Sequence, residues 1–265
     1  MQPETRPIIG RIVAQHPLRR LNAAGAAWRA ALVDLLIPPH CAFCDAEPSS
    51  ASRDILLCDS CVDALTSDRL PRCRRCAART PQVISSCAHC RARRYPFAEV
   101  IALGSYQGSL RDAVLRMKWV THEPLAASIA RLLARPVSER LAETPVQYVV
   151  PMPTSWQRRL RRGTSSTEIL ADEVARHLSV PLARRGLVCT RNTLPQGPLR
   201  RTRRIENVRG AYRAGAGYHF NGARVLLVDD VLTTGASCSE ATRVLRRAGA
   251  SEVIVAVAAR TELPV

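Results

Sequence analysis

The chain has 265 residues, 46% of them hydrophobic, enough to bury the core of one medium domain and leave material for a small one. Its formal charge of +17 points toward a polyanionic partner, since summed positive charge attracts phosphates before any specific contact forms. Lys118 is the one lysine among 39 basic residues, however, so a compositional drift toward arginine explains the charge equally well, and an aromatic content of 4% supplies few platforms for stacking single-stranded bases.

In chain order, residues 1–39 read as one amphipathic helix with Leu18, Leu21, Trp28, Leu32, Leu35 and Leu36 near a single face, stopped by Pro38 and Pro39. Arg19, Arg20, Arg29 and Asp34 interrupt its apolar run, which excludes a bilayer span, and no secretory signal pattern is present. A soluble, cytoplasmic protein is expected. Residues 40–94 hold eight of the ten cysteines and few residues for a core. From Tyr95 to Val265 short apolar runs alternate with helical patterns, the grammar of an α/β sheet. Strands are predicted over Val100–Leu103, Gln147–Val150, Val225–Val228 and Glu252–Ala258. Helices are predicted over Ser109–Trp119, Leu125–Leu133, Thr167–Leu178 and Ala236–Ala248, the last ended by Gly249.

The cysteines fall into four C-x-x-C pairs: Cys41/Cys44, Cys58/Cys61, Cys73/Cys76 and Cys87/Cys90. This spacing lets two thiolates on one tight knuckle grip the same tetrahedral ion. Two structural zinc ions, each held by four thiolates, are therefore expected. Sequential pairing of the knuckles is the simplest arrangement, with a crossed brace as the alternative. Disulfides are disfavoured, because nothing marks the chain as secreted. Cys189 and Cys238 lie outside the pattern and read as ordinary buried thiols, and His40 and His89 as bystanders. Arg72, Arg74, Arg75, Arg79, Arg91, Arg93 and Arg94 surround the second site, where they offset thiolate charge and offer contacts to nucleic acid. Loss of zinc is expected to unfold this part and leave a C-terminal domain standing on its own core.

Chemistry concentrates in Val225-Leu226-Leu227-Val228-Asp229-Asp230-Val231-Leu232-Thr233-Thr234-Gly235-Ala236-Ser237. Four apolar residues followed by two acids place Asp229 and Asp230 at the carboxyl end of a buried strand, where open α/β sheets bind ligands. Carboxylates repel phosphate, so the acids suit ribose hydroxyls or a Mg²⁺ ion reached directly or through water. Thr233, Thr234, Gly235, Ala236 and Ser237 then lead into a helix, presenting hydroxyls, backbone N–H groups and the positive helix end to a phosphate. A plain capped helix after a core strand would share the pattern, although it does not require two adjacent acids. No G-x-x-x-x-G-K-[ST] occurs, which counts against a P-loop NTPase.

This stretch resembles the phosphoribosyl-pyrophosphate signature of type I phosphoribosyltransferases. The chain as a whole resembles the ComF family of competence proteins, which includes the GntX-like members. The likeness runs through Leu36-Ile37-Pro38-Pro39-His40-Cys41, the double zinc ribbon, Tyr106 and Met117-Lys118-Trp119. It continues through Val150-Pro151-Met152-Pro153, Arg162-Gly163, Gln196, Arg204, Asn207 and Gly210, and closes on Ala259-Arg260-Thr261. It implies a parallel sheet with a small hood, and a role in DNA uptake during natural transformation. The family's aromatic-Asn-Gln after Arg-Gly is replaced here by Thr164-Ser165-Ser166, which puts amide-based recognition of an acceptor in doubt.

The reaction so implied is displacement of pyrophosphate from C1 of the ribose by a nitrogen nucleophile, with Mg²⁺ and basic side chains stabilising the leaving group. Asp229 and Asp230 would carry the chemistry. Arg158, Arg159 and Arg162, after the Val149-Val150 strand, would touch the pyrophosphate, and Lys118 would reach it or a backbone carbonyl that shapes its loop. Arg203 and Arg204 would belong to a flap near Asn207. Three functions fit: a phosphoribosyltransferase acting on an unidentified acceptor; a non-catalytic competence factor that binds a phosphoribosyl ligand and single-stranded DNA; and a ligand-responsive regulator.

Overall fold

Four parallel strands in the order β1-β6-β5-β2 form the central sheet: β1 (Val100–Ser105), β6 (Glu252–Arg260), β5 (Arg224–Leu232) and β2 (Tyr148–Pro151). The computed structural model describes residues 40–47, 55–154, 165–191 and 206–262, all within the compact unit His40–Val265. The helix expected over residues 1–39 lies outside the described residues, as do Arg158, Arg159, Arg162, Gln196, Arg203 and Arg204. No described helix is long and apolar enough to cross a membrane.

The remaining elements are α1 (Asp59–Thr66) and α2 (Ala88–Arg93) in the cysteine-rich part, then α3 (Gly108–Arg116), α4 (Glu123–Leu141), α5 (Ser166–Leu178) and α6 (Ala236–Arg247). A two-stranded antiparallel ribbon, β3 (Leu187–Cys189) with β4 (Tyr212–Ala214), completes the fold. Because side chains alternate along a strand, the sheet feeds two cores. Leu226, Val228, Ile254, Ala256 and Ala258 pack with α3, α4 and α5 on one face, while Val225, Leu227, Val253, Val255 and Val257 pack with α6 on the other.

The cysteine-rich part is shared between these two cores. Cys41, Ile55, Leu57, Cys58, Cys61 and Leu65 join the first, and Cys73, Cys76, Ala77, Cys87 and Cys90 join the second. Polar contacts reinforce the first junction. Leu56 N–H donates to Ser128 Oγ on α4 at 3.2 Å, and Arg116 on α3 donates to the Phe43 carbonyl at 2.9 Å. The expectation that residues 40–94 contribute little to a core therefore does not hold.

Two boundaries differ most from the sequence reading. Helix α4 continues through Pro136 to Leu141, because Val137 and Leu141 bury their side chains and offset the hydrogen bond that proline removes. Strand β5 runs four residues beyond Val228, the end read from its apolar run, because β6 continues beside it as far as the Leu232–Arg260 pair. On its other side β5 loses its partner earlier, since pairing with β2 stops at Val228–Pro151. Asp229 and Asp230 thus stand on a ledge, paired with one neighbour and just past the end of the other.

Candidate functional site: two thiolate clusters and an acidic ledge

The knuckles pair sequentially. Cys41, Cys44, Cys58 and Cys61 form one cluster and Cys73, Cys76, Cys87 and Cys90 the other, with all sulfurs of a cluster within 4.8 Å of one another. A Zn–S bond of about 2.3 Å in a tetrahedron requires sulfur separations of about 3.8 Å. The pairs Cys44–Cys58, Cys73–Cys90, Cys76–Cys87 and Cys87–Cys90 lie 3.6–3.7 Å apart, so the donor set fits zinc in size as well as in chemistry. Each first knuckle closes on a left-handed residue, Asp45 (φ 64°) or Ala77 (φ 53°), whose N–H bonds back to Cys41 or Cys73. Cys58 and Cys87, from the second knuckles, stand at the N-caps of α1 and α2. The Cys87 N–H also donates to Cys73 Sγ at 3.3 Å, the kind of outer contact that steadies a ligating thiolate.

Of the arginines around the second cluster, Arg72, Arg75, Arg79, Arg91 and Arg93 bond within the protein. Arg72 donates to Ala77 O and pairs with Asp68; Arg75 donates to Tyr95 O and Ala98 O; Arg91 donates to Ser86 O. Arg79 pairs with Asp68 and Glu262, and Arg93 donates to Thr234 O. They brace the module first of all. Outside the clusters, Cys238 is buried as expected, whereas Cys189 is only half-buried, at the end of a three-residue strand packed against the second core.

On the ledge, Asp229 is 9% exposed and accepts the Asp230 N–H at 2.9 Å on Oδ1, with the Cys238 thiol 3.6 Å from Oδ2. Asp230 accepts the Val231 N–H at 2.7 Å and meets Lys118 Nζ at 2.7 Å. Burial first, and the neighbouring Asp230 second, push Asp229 up to about 8. Burial pushes Asp230 up, but the Lys118 ammonium and the Val231 N–H together hold it below the usual carboxylate range. One charge of the pair is thus matched and the other suppressed, a configuration that serves the fold poorly and a ligand well.

A stability prediction follows from the sign of that shift. An acid whose folded-state pKa is raised destabilises the fold increasingly as pH climbs from its unfolded value near 4 to its folded value near 8. Asp229→Asn removes that cost and keeps the shape. Its melting temperature is expected to exceed the wild type's by more at pH 8.5 than at pH 6, at about 2–4 °C per kcal/mol for a chain of this size. Equal shifts at the two values would show that Asp229 is not held neutral.

Beyond the ledge the chain turns through Thr233 and Thr234 to Gly235, the N-cap of α6, at φ 77°. Only glycine suits this position: the backbone is left-handed, and a Cβ would come within 2.8 Å of the Tyr95 ring. Thr234 Oγ1 accepts the Ala236 N–H at 3.4 Å, and the Ser237 hydroxyl is hydrogen-bonded with the Tyr212 phenol, tying β4 to the turn. The structure therefore brings Asp229, Asp230, Thr233, Thr234, Gly235, Ala236, Ser237 and Lys118 into one neighbourhood at the carboxyl end of β5.

Lys118, expected at the ligand or its loop, is paired with Asp230. Its partner is a carboxylate, and at 19% exposure it is not a surface lysine. Ser165 and Ser166 lie at the start of α5. Ser165 is buried at the start of α5 and shares hydroxyl contacts with Thr154 at 3.1 Å and Thr167 at 3.0 Å, while Ser166 is the first, buried residue of that helix.

A residue whose role the sequence reading missed is Arg260. It is 0% exposed and donates through Nε to Cys76 O at 2.9 Å and through Nη1 to Leu232 O at 3.1 Å, Thr233 O at 2.8 Å and Thr261 O. The signal was an arginine directly after the run Ala256-Val257-Ala258-Ala259, where a lone charge ends a buried strand.

A parallel sheet with an acidic ledge, a phosphate-type turn and two Cys₄ clusters defines an α/β protein of the phosphoribosyltransferase type joined to a double zinc ribbon. Family comparison agrees: residues 32–92 match the double zinc ribbon domain and residues 165–262 the phosphoribosyl transferase domain. Over most of its length the chain is a homologue of ComF- and YhgH-type proteins. It is 26% identical to competence protein F of Haemophilus influenzae, over 75% of this chain and 88% of the relative. It is 27% identical to the DNA utilization protein YhgH of Escherichia coli K12, over 91% and 99%. Among solved structures, an adenine phosphoribosyltransferase aligns with 50% of this chain and 69% of its own at 16% identity and a TM-score of 0.34.

Proposed function

We propose that the ledge and turn bind phosphoribosyl pyrophosphate, with residues 95–265 as the phosphoribosyltransferase-like domain, residues 40–94 as the double zinc ribbon and residues 1–39 as an N-terminal amphipathic helix. The observation that carries this reading is the juxtaposition of two strand-end acids with a left-handed glycine turn that opens a helix. Asp229 and Asp230 face the ribose hydroxyls, and Thr233, Thr234, Ala236 and Ser237 hold the 5′-phosphate with hydroxyls and backbone N–H groups. Two carboxylates, one already engaged by Lys118, are too few to hold Mg²⁺ alone. They suit a Mg²⁺ that arrives with the ligand's own oxygens and keeps part of its water shell. Arg158 and Arg162 then meet the pyrophosphate, which leaves as C1 of the ribose bonds to a nitrogen acceptor. Similarity to a competence protein and a DNA utilization protein supports a role in DNA uptake or use, and ten free cysteines suit a reducing cytoplasm.

Titration calorimetry of the full chain with Mg²⁺ and phosphoribosyl pyrophosphate is expected to show one saturable site. No binding at millimolar ligand would overturn the reading. Pyrophosphate release, assayed over a panel of bases and single-stranded DNA, then separates a transferase from a binding factor.

Lys118 offers a finer test. An ammonium is a compact point charge, whereas a guanidinium is a wide planar fork that does not fit the same space beside Asp230. Lys118→Arg is expected to weaken binding about tenfold and move the unliganded melting temperature by less than about 2 °C. Wild-type affinity in this variant would remove Lys118 from the site.

A further inference from the structure

Two side-chain arms tie the phosphate-type turn to the second thiolate cluster. One arm is Arg260. Its guanidinium spans from the carbonyl of Cys76, a cluster residue, to the carbonyls of Leu232 and Thr233, at the end of β5 and the start of the turn. The other arm is α2, which carries Cys90 and, one turn on, Arg93. Arg93 Nη1 reaches Thr234 O at 3.3 Å and the Tyr95 hydroxyl at 3.1 Å. That hydroxyl also donates to Thr234 O at 3.3 Å, and the Tyr95 ring fills the space over Gly235. Leu232, Thr233 and Thr234 thus each have their carbonyl pinned by a side chain that leads back to the cluster.

The electrostatics give the arrangement a reason. A buried guanidinium is costly without a counter-charge, and Arg260 forms no ion pair with a carboxylate among the described residues. A dication held by four thiolates carries a net charge of about minus two, and the Cys73/Cys76/Cys87/Cys90 cluster touches Arg260 through the Cys76 carbonyl. A zinc-loaded cluster, together with Glu262, would supply a field that favours the buried Arg260 cation, and Arg260 holds the carbonyls at the start of the turn.

We propose that Arg260 and Arg93 are positioning residues that pre-organise the Thr233–Gly235 turn from the second zinc site, so that this site tunes the affinity of the turn for a phosphate ester. The proposal rests on the phosphate-binding reading of the turn, but its structural half can be measured without any ligand.

Hydrogen exchange on the full-length, zinc-loaded protein is the first readout. Arg260→Lys keeps charge and bulk but cannot bridge three carbonyls, and Arg93→Ala removes a partly exposed arm without opening the core. Both variants are expected to retain two zinc ions per chain and wild-type protection in Leu226–Val228, while amides of 232–237 exchange at least tenfold faster. Affinity for phosphoribosyl pyrophosphate, measured by calorimetry, should fall about tenfold in Arg93→Ala and further in Arg260→Lys. If Arg260→Lys proves too unstable to purify, Arg93→Ala and Tyr95→Phe decide the matter alone. Unchanged exchange in 232–237 in the purified variants, with zinc retained, overturns the proposal. Faster exchange in a protein whose wild type binds no phosphoribosyl pyrophosphate would support the support-arm geometry and overturn only the choice of ligand.

Discussion

Stripping zinc from the full-length protein is expected to melt the sheet along with the ribbon, in one transition and at a much lower temperature. Sequence alone suggests the opposite, an independent C-terminal domain that survives chelation. Packing decides between them. Ile55, Leu57 and Leu65 are buried against α3 and α4, and Cys73, Cys76, Ala77 and Cys90 are buried with Tyr95 and Phe97 in the second core. Each large apolar side chain exposed costs about 1.5–3 kcal/mol. A structural zinc site is worth about 10–16 kcal/mol in isolated peptides, against a total stability of about 5–15 kcal/mol for a typical domain. Elemental analysis of protein purified without chelator should give two zinc ions per chain. After chelation, circular dichroism should show the helical signal lost in a single step, with the midpoint lowered by more than about 15 °C. A sheet that melts at its original temperature after both ions are gone would show the two parts to be independent.

How much of this was legible beforehand varies by element, for physical reasons. The knuckles and the ledge could be read because their chemistry is local: C-x-x-C fixes a ligand pair within four residues, and an apolar tetrad before two acids marks a strand end. Strands β3 and β4 were missed, since three-residue strands carry no periodicity to detect. The second half of α4 was missed because Pro136 looks like a stop, and only the burial of Val137 and Leu141 in the finished core overrules it. The Lys118–Asp230 pair joins residues more than a hundred positions apart, and Arg260 joins Cys76 across a still longer separation. No spacing rule reaches that far. Those long-range contacts are the ones that turn a recognisable signature into a site with a defined charge.

The acids themselves give the largest expected effect on binding. Asp229→Asn together with Asp230→Asn should abolish recognition of the ribose while preserving the fold. Hydrogen bonds from hydroxyls to a carboxylate are worth about 1.5–3 kcal/mol each, so losing two from a ribose 2′,3′-diol weakens binding by roughly a hundredfold to ten-thousandfold. Stability should not fall in parallel. Replacing Asp229 removes a carboxyl that burial and Asp230 already force toward neutrality, and asparagine can still accept the residue-230 N–H on Oδ1. Replacing Asp230 strips Lys118 of its carboxylate, but at 19% exposure that ammonium can be hydrated instead. The phosphate turn is untouched by either change, so weak binding of inorganic phosphate should persist in the double variant and show that the loss is confined to the sugar. Calorimetry with Mg²⁺ and phosphoribosyl pyrophosphate, beside a melting curve on the same sample, separates the outcomes. Undiminished affinity in a folded double variant would mean that the acids do not face the ligand, and the ledge would then be a feature of the fold alone.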